Sequence, residues 1–291
     1  MAHPQPAIAA LPYALKTGLF PGRVRLDDLV WPLERPERLR AAGQTLRDLD
    51  PQDHLLCFAS DMLHLRPWFG TPARVSVMVL EPEVIHGKHM RRLRRSHPRF
   101  HKVLTCNESL LGAISNGVLF PLGGNWAKDW QDRSHTKTAM CSLIASGKRD
   151  LEGHMLRHDM VDWVRTQALA VDVIGKGYQP FEKKSDGLSP YRYSLIIENV
   201  RERNYFTEKL VDAVLCDTVP IYWGCPNLTD FMDTSGMILC HSKADLQVAV
   251  HAMSEAQYTA LHPDLVGARA VAASFADIYA RAAQAVLDAS A

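Results

Sequence analysis

Between residues 198 and 209 the chain gathers Glu198, Asn199, Tyr205, Thr207, Glu208 and Lys209. Carboxylates and an amide placed together suit sugar or ribose hydroxyls, because one carboxylate can accept from two hydroxyls at once. Lys209 is harder to place. It would stand in the first turn of a helix that Thr207 is suited to cap, where a cation is disfavoured by a few tenths of a kcal/mol to ~1. An anion such as a diphosphate in the same place makes that lysine favourable. Tyr205, just ahead of the helix, could stack on a ring or donate to a phosphate. Taken singly, Glu208 reads as an ordinary first-turn carboxylate and Lys209 as a solvated cation; taken together, the set favours an anion site.

Two further positions could serve the same chemistry. Arg157 follows Gly153-His154 near the start of a basic helical stretch; that it faces phosphate, to whose oxygens a guanidinium offers a two-pronged fork, is implied by a family resemblance rather than by its position. The alternative is a surface arginine beside an exposed histidine. Glu81 ends the apolar run Arg74-Val-Ser-Val-Met-Val-Leu80 and is followed by Pro82 and Glu83. A carboxylate at the end of a buried strand is a reasonable place for a general base, with Glu81 the candidate and Glu83 the reserve. Two solvated glutamates in a loop are the other reading.

The elements that must hold these groups follow from periodicity. Residues 191–198 alternate Tyr193, Leu195 and Ile197 with Arg192, Ser194 and Ile196, as a strand does; Leu210, Val211, Val214 and Leu215 then recur at helical spacing, and 219–222 form a second strand stopped by Gly224. Strand, helix, strand implies a parallel sheet, whose ligands sit beyond the carboxyl ends of the strands and at helix N-termini. The same order recurs over 139–145, 152–168 and 171–175, with Gly175-Lys176-Gly177 as a tight turn. Earlier strands are expected at 55–60, 74–80 and 102–105, and a brief helix at 108–113. Residues 26–33 and 36–49 are amphipathic, and 242–252 and 263–290 are expected as helices. Asp48-Leu49-Asp50 has the form of a metal-and-diphosphate signature but falls between a polar helical stretch and Pro51, so it reads as a helix end or turn. Lys183 and Lys184 read as solvated.

The run YRYSLIIENVRERNYFTEKLVDAVLCDTVPIYWG (191–224) closely resembles the signature of the α-1,3/4-fucosyltransferases, glycosyltransferase family 10, in which an aromatic strand ends in Glu-Asn, a Tyr-x-Thr-Glu-Lys-Leu segment follows, and a Val-Pro strand ends in Gly. Weaker echoes are Val-Leu-Glu81-Pro, similar to the strand end that carries the family's catalytic base, Phe120-Pro-Leu-Gly-Gly-Asn-Trp126, and Gly153-His154 with Arg157. The resemblance implies an α/β, GT-B-like fold of two Rossmann-like domains facing across a cleft. With the polar run 127–137 as boundary, residues 1–133 would bind the acceptor and 134–291 the nucleotide sugar, the last helix packing back on the first domain. It implies inverting transfer of fucose from GDP-fucose to a glycan hydroxyl of the bacterial surface polysaccharide or lipopolysaccharide type. Glu81 and Glu208 would be catalytic, and Arg157, Glu198, Asn199, Tyr205, Thr207, Glu208 and Lys209 would hold the donor. No tightly bound cofactor or metal is expected, although a divalent cation could stimulate. The alternatives are a glycosyltransferase using another nucleotide sugar and a non-catalytic binding protein of the same fold.

Composition bounds these readings. At 291 residues, 47% hydrophobic and 22% charged, the chain is an ordinary globular protein of one large or two modest domains. A net charge of +1 argues against a dedicated nucleic-acid binder. The basic run 86–102, with Lys88, Arg91, Arg92, Arg94, Arg95, Arg99 and Lys102, reads as a solvated face that could also attract an anionic acceptor or membrane surface. The 6 scattered cysteines, without Cys-x-x-Cys, suggest reduced thiols; with no leader or spanning stretch in view, the expected place is the cytoplasm, or peripherally the inner membrane.

Overall fold

Short β-rich runs separated by helices lie side by side as parallel strands throughout the computed structural model, which describes residues 6–15, 17, 20–65 and 69–290. The chain divides into two units, Met1–Pro121 with Ile278–Ala291, and Leu122–Asp277. Each has its own apolar core.

The first unit runs β1 (Ile8–Ala10), β2 (His54–Phe58), α1 (Asp61–Leu65), β3 (Arg74–Val79), α2 (Glu83–Ser96), β4 (Val103–Thr105), α3 (Glu108–Leu111) and β5 (Gly117–Leu119). The strands pair in parallel in the order β1-β2-β3-β4-β5. The interior strands are buried on both faces, as parallel strands covered by helices must be. β1 escapes the periodicity because it is three residues between Pro6 and Pro12, too short to show a period. The amphipathic stretches at 26–33 and 36–49 form only single 3-10 turns, Leu26–Asp28, Glu37–Leu39 and Leu46–Asp48, because Pro32, Pro36 and a left-handed Gly43 (φ 82°) stop any longer helix. Asp48 is spent capping: it accepts from the Thr45 backbone N–H at 2.7 Å.

The second unit runs β6 (Ala139–Ile144), α4 (Glu152–Thr166), β7 (Val171–Ile174), β8 (Tyr191–Ile197), α5 (Glu208–Leu215), β9 (Val219–Trp223), β10 (Ile238–Leu239), α6 (Lys243–Ala252) and α7 (Glu255–Ser274). Its parallel sheet has the order β10-β9-β8-β6-β7. From β6 the chain first builds outward to β7, then returns to the other side with β8, β9 and β10. The reversal falls between β6 and β8, the place where open α/β sheets leave a crevice at their carboxyl ends.

The units part at 121/122, ahead of residue 133, because the second unit already holds the segment that follows. Gly123 N donates to Phe206 O (3.0 Å) and Gly124 N to Phe275 O (2.9 Å). α7 begins eight residues before Pro263, which sits inside it; Ser254 Oγ accepts from Gln257 N at 3.1 Å, and that cap starts the helix. The final helix, α8 (Ile278–Asp288), belongs to the first unit, where Tyr279 Oη accepts from Tyr13 N (3.2 Å) and its ring meets Phe58 edge-on. The six cysteines are buried and form no disulfide. Among the described residues no helix is long and apolar enough to cross a membrane.

Candidate functional site

The carboxyl end of β8 and the N-terminal turns of α4 and α5 meet at the sheet's reversal. Thr207 caps α5, its Oγ1 accepting from Lys209 N (3.3 Å). Glu198, the residue after β8, has no solvent exposure. Its Oε1 accepts from Thr207 N (2.8 Å), and its Oε2 from Thr207 Oγ1 (2.9 Å) and Lys209 Nζ (3.3 Å). Lys209 Nζ also lies 2.9 Å from Thr207 Oγ1 and 3.4 Å from Glu208 Oε1. Strand end and helix start are thus locked together through one carboxylate.

Arg157 reaches the same strand end from α4. Its Nε donates to Ile197 O (2.9 Å) and its Nη2 to Asn199 Oδ1 (2.9 Å). Asn199 Nδ2 in turn stands 3.5 Å from Tyr205 Oη. Gly153, in the first turn of α4, donates its N–H to Asn199 O (2.9 Å), and a Cβ there would overlap the Glu198 carbonyl. Only glycine lets α4 come this close to β8, and that approach is what delivers Arg157.

Burial sets the electrostatics. Burial pulls the Arg157 guanidinium below the ordinary arginine value, opposed by Glu198, Tyr205 and Glu208. Burial alone would lower Lys209 too, but Glu198 and Glu208 outweigh it and raise it above the ordinary lysine value. The two carboxylates thus favour the charged form of Lys209, and they oppose the effect of burial on Arg157.

The structure brings Arg157, Glu198, Asn199, Tyr205, Thr207, Glu208 and Lys209 into one cluster, with two departures from the sequence reading. Tyr205 is fully buried rather than offering an open ring face. Glu198 spends both oxygens on Thr207 and Lys209, so it organises the cluster instead of reaching toward a sugar. Glu81 belongs to the first unit; it follows Leu80 at the carboxyl end of β3 and is half-buried, while Glu83 opens α2 and is exposed.

Two groups of the site were not anticipated. Lys183 is solvated as expected, but Lys184 is half-buried: burial lowers its pKa, opposed by Asp212 and Glu208, while Lys209 and Arg157 add to the lowering. Nothing in Lys-Lys-Ser-Asp marks the second lysine out. Asp212, on α5 one turn beyond Glu208, has no solvent exposure, and its Oδ1 accepts from Trp126 N (2.9 Å) and Ala127 N (3.2 Å). Burial raises its carboxyl to about 7, opposed by Lys184 and the two N–H groups. Here a signal existed: a carboxylate inside the apolar stretch Leu210-Val-Asp-Ala-Val-Leu215 demands an internal partner.

Residues 134–255 match the family model described as glycosyltransferase family 10 (fucosyltransferase), C-terminal part. The α-(1,3)-fucosyltransferase FucT of Helicobacter pylori is 32% identical over 69 residues, which is 24% of this chain and 14% of that protein. Residues 134–255 are a glycosyltransferase family 10 domain. Arg157, Lys184, Glu198, Asn199, Tyr205, Thr207, Glu208, Lys209 and Asp212 all fall inside the family 10 segment; Glu81 and the 123–127 segment fall outside it. The chain spans a small fraction of the length of the H. pylori relative. Solved structures carry the fold further. An α,α-trehalose-phosphate synthase (UDP-forming) from Burkholderia vietnamiensis aligns with a TM-score of 0.54 at 10% identity, over 83% of this chain and 72% of that one. S. aureus TarM, solved in complex with Fondaparinux, alpha-GlcNAc-glycerol and UDP, aligns at 0.52 and 11% identity, over 82% of this chain and 55% of that one. The family 10 domain therefore belongs to a chain of the GT-B-like α/β class.

Proposed function

We propose that this protein is an inverting glycosyltransferase that moves fucose from GDP-fucose to a hydroxyl of a glycan acceptor. The observation that carries the reading is the convergence of Arg157 and Lys209 on the carboxyl end of β8, inside the family 10 domain and at the reversal of its sheet. The H. pylori relative is an α-(1,3)-fucosyltransferase, which favours a GDP-sugar as donor.

In this reading the diphosphate lies at the start of α5. Arg157, Lys209 and the helix N-terminus neutralise the charge that builds on GDP as it leaves, and Lys184 adds a third cation from the side of Asp212. Asn199 and Glu208 orient hydroxyls, and Glu198 keeps Lys209 in place. The first unit would take the acceptor. It holds a cavity of about 570 Å³ beyond the ends of β1 and β2, lined among others by Tyr13, Phe58, Ser60 and Phe69, beside the strand that leads to Glu81. Glu81 would remove the proton from the attacking hydroxyl as that oxygen bonds to the anomeric carbon and the bond to GDP breaks. The basic face of α2 suits an anionic glycan or an anionic membrane surface at the cytoplasmic side of a bacterial envelope.

The test is a donor screen by GDP release. GDP-fucose should be consumed in the presence of bacterial glycan fragments, and UDP-sugars should not. Turnover of a UDP-sugar alone would point to a different donor, and tight GDP binding without any transfer would point to a binding protein.

A further inference from the structure

The segment Gly123–Ala127 runs along the first turns of α5, on the second unit. Gly123 is bridged in parallel to Thr207, and Trp126 and Ala127 are held by Asp212. Asn125 lies between those two attachments, and Glu208 lies between Thr207 and Asp212. The asparagine is thereby held near the start of the helix that carries Glu208. Gly123 and Gly124 both take left-handed backbone (φ 58° and 101°), which lets the chain turn this tightly against the helix.

What the segment leaves over is unexplained by folding. Asn125 is only 7% exposed, yet its amide oxygen has no hydrogen-bond partner among the described residues. Asp212 Oδ2, fully buried, has none either. Leaving a buried polar group unpaired is destabilising, whereas an apolar side chain of the same shape carries no such penalty. An amide is neutral, with one acceptor and one donor edge, so it suits a hydroxyl rather than a phosphate.

We propose that Asn125 is a hydroxyl-reading residue of the donor site, held near the start of α5 by Asp212 and bonded to a hydroxyl of the bound nucleotide sugar. The proposal rests on the GDP-sugar reading above and adds a contact from outside the family 10 segment. The hydroxyl belongs either to the transferred sugar or to the ribose, and the two are separable by experiment.

The experiment compares wild type with Asn125→Leu and Asn125→Ala, measuring thermal stability without nucleotide and the affinities for GDP and for GDP-fucose by calorimetry. Leucine keeps the branched shape and the number of heavy atoms and removes an unpaired polar group, so the unliganded Asn125→Leu protein should melt at or above the wild-type temperature. Its affinity should nonetheless fall by about 3- to 10-fold, the loss of one net hydrogen bond. A fall for GDP-fucose alone assigns the sugar hydroxyl, and an equal fall for GDP assigns the ribose. Unchanged affinities for both, or a leucine variant several degrees less stable than wild type, overturn the proposal by making Asn125 structural. If wild type itself binds neither GDP nor GDP-fucose, the functional reading has failed and the proposal with it; if wild type binds and the variants match it, the proposal alone has failed.

Discussion

The ammonium of Lys209 lies 3.3 Å from Oε2 of Glu198, a carboxylate with no exposure to solvent. The contact joins the end of β8 to the start of α5, and it gives the lysine a structural duty besides any role toward an anion. Substituting Lys209 alone strands a buried charge, at a cost of about 3 kcal/mol, the low end for a broken buried pair. Lys209→Ala should therefore lose both stability and GDP binding, and activity by itself would not separate the causes. The double variant Glu198→Gln, Lys209→Met removes both charges while the glutamine still accepts from Thr207 N. It should recover most of the melting temperature and none of the GDP affinity. Recovery of GDP binding along with stability would remove Lys209 from the donor site.

Gly153 makes a second, sharper test of the same junction. A Cβ at this position would overlap the carbonyl of Glu198 and stand 2.9 Å from the oxygen of Asn199, both backbone atoms that cannot swing aside. Gly153→Ala must push α4 away from β8, and Arg157, one turn along, moves with it. Overpacking of this kind costs about 1–3 kcal/mol. GDP affinity should fall by about tenfold or more, with a lower melting temperature. Gly147→Ala, where an added Cβ meets nothing within 4 Å, is the control and should leave both unchanged.

How far the sequence could be read depended on whether partners were local. The strand 191–198, the Thr207 cap and the helix 208–215 were legible because each is decided by residues within a few positions: alternation, one side-chain oxygen, one apolar face. Glu198, Thr207 and Lys209 could be placed together for the same reason. Lys184 and Asn125 were not legible, since their surroundings come from elements far along the chain: α5 for both, and α4 as well for the charges around Lys184. The dual use of Glu198 was equally hidden, because a carboxylate at a strand end reads the same whether it faces a ligand or a helix cap. In the first unit, β1 is three residues long and became visible only through its register with β2.

Asp212 gives a pH dependence of definite sign. Burial raises its carboxyl to about 7, against an ordinary value near 4, with Lys184 opposing the rise from the loop before β8 and Glu208 adding to it from the same helix. A raised carboxyl means that the folded protein favours the neutral acid. The stability this contributes is complete below about pH 4 and is lost as the pH climbs through about 7, a span worth up to about 4 kcal/mol. The substitution Asp212→Asn mimics the neutral acid, keeping an oxygen for Trp126 N and Ala127 N. The stability of this variant relative to wild type, from urea melts, should therefore rise between pH 5 and pH 8.5. A difference that stays flat over that range would mean that Asp212 is ionised in the fold throughout. Asp212→Ala, which abandons both N–H groups, should be destabilised at every pH.

Glu81 and Glu83 can be told apart because the fold places them differently. Glu81 lies two residues beyond the interior strand β3 and is half-buried, whereas Glu83 starts α2 with its side chain in solvent. General base catalysis contributes on the order of 10² to 10⁴ in rate, provided the carboxylate reaches the attacking hydroxyl. Glu81→Gln should then lower kcat for transfer from GDP-fucose by about 10² or more, while GDP affinity stays within about twofold of wild type, since every proposed nucleotide contact lies in the second unit. Glu83→Gln should leave both parameters unchanged. Should Glu83→Gln abolish turnover and Glu81→Gln spare it, the start of α2, not the end of β3, presents the base to the acceptor. If both variants retain full kcat, the proton leaves by another route, and the assignment of the first unit to acceptor activation fails.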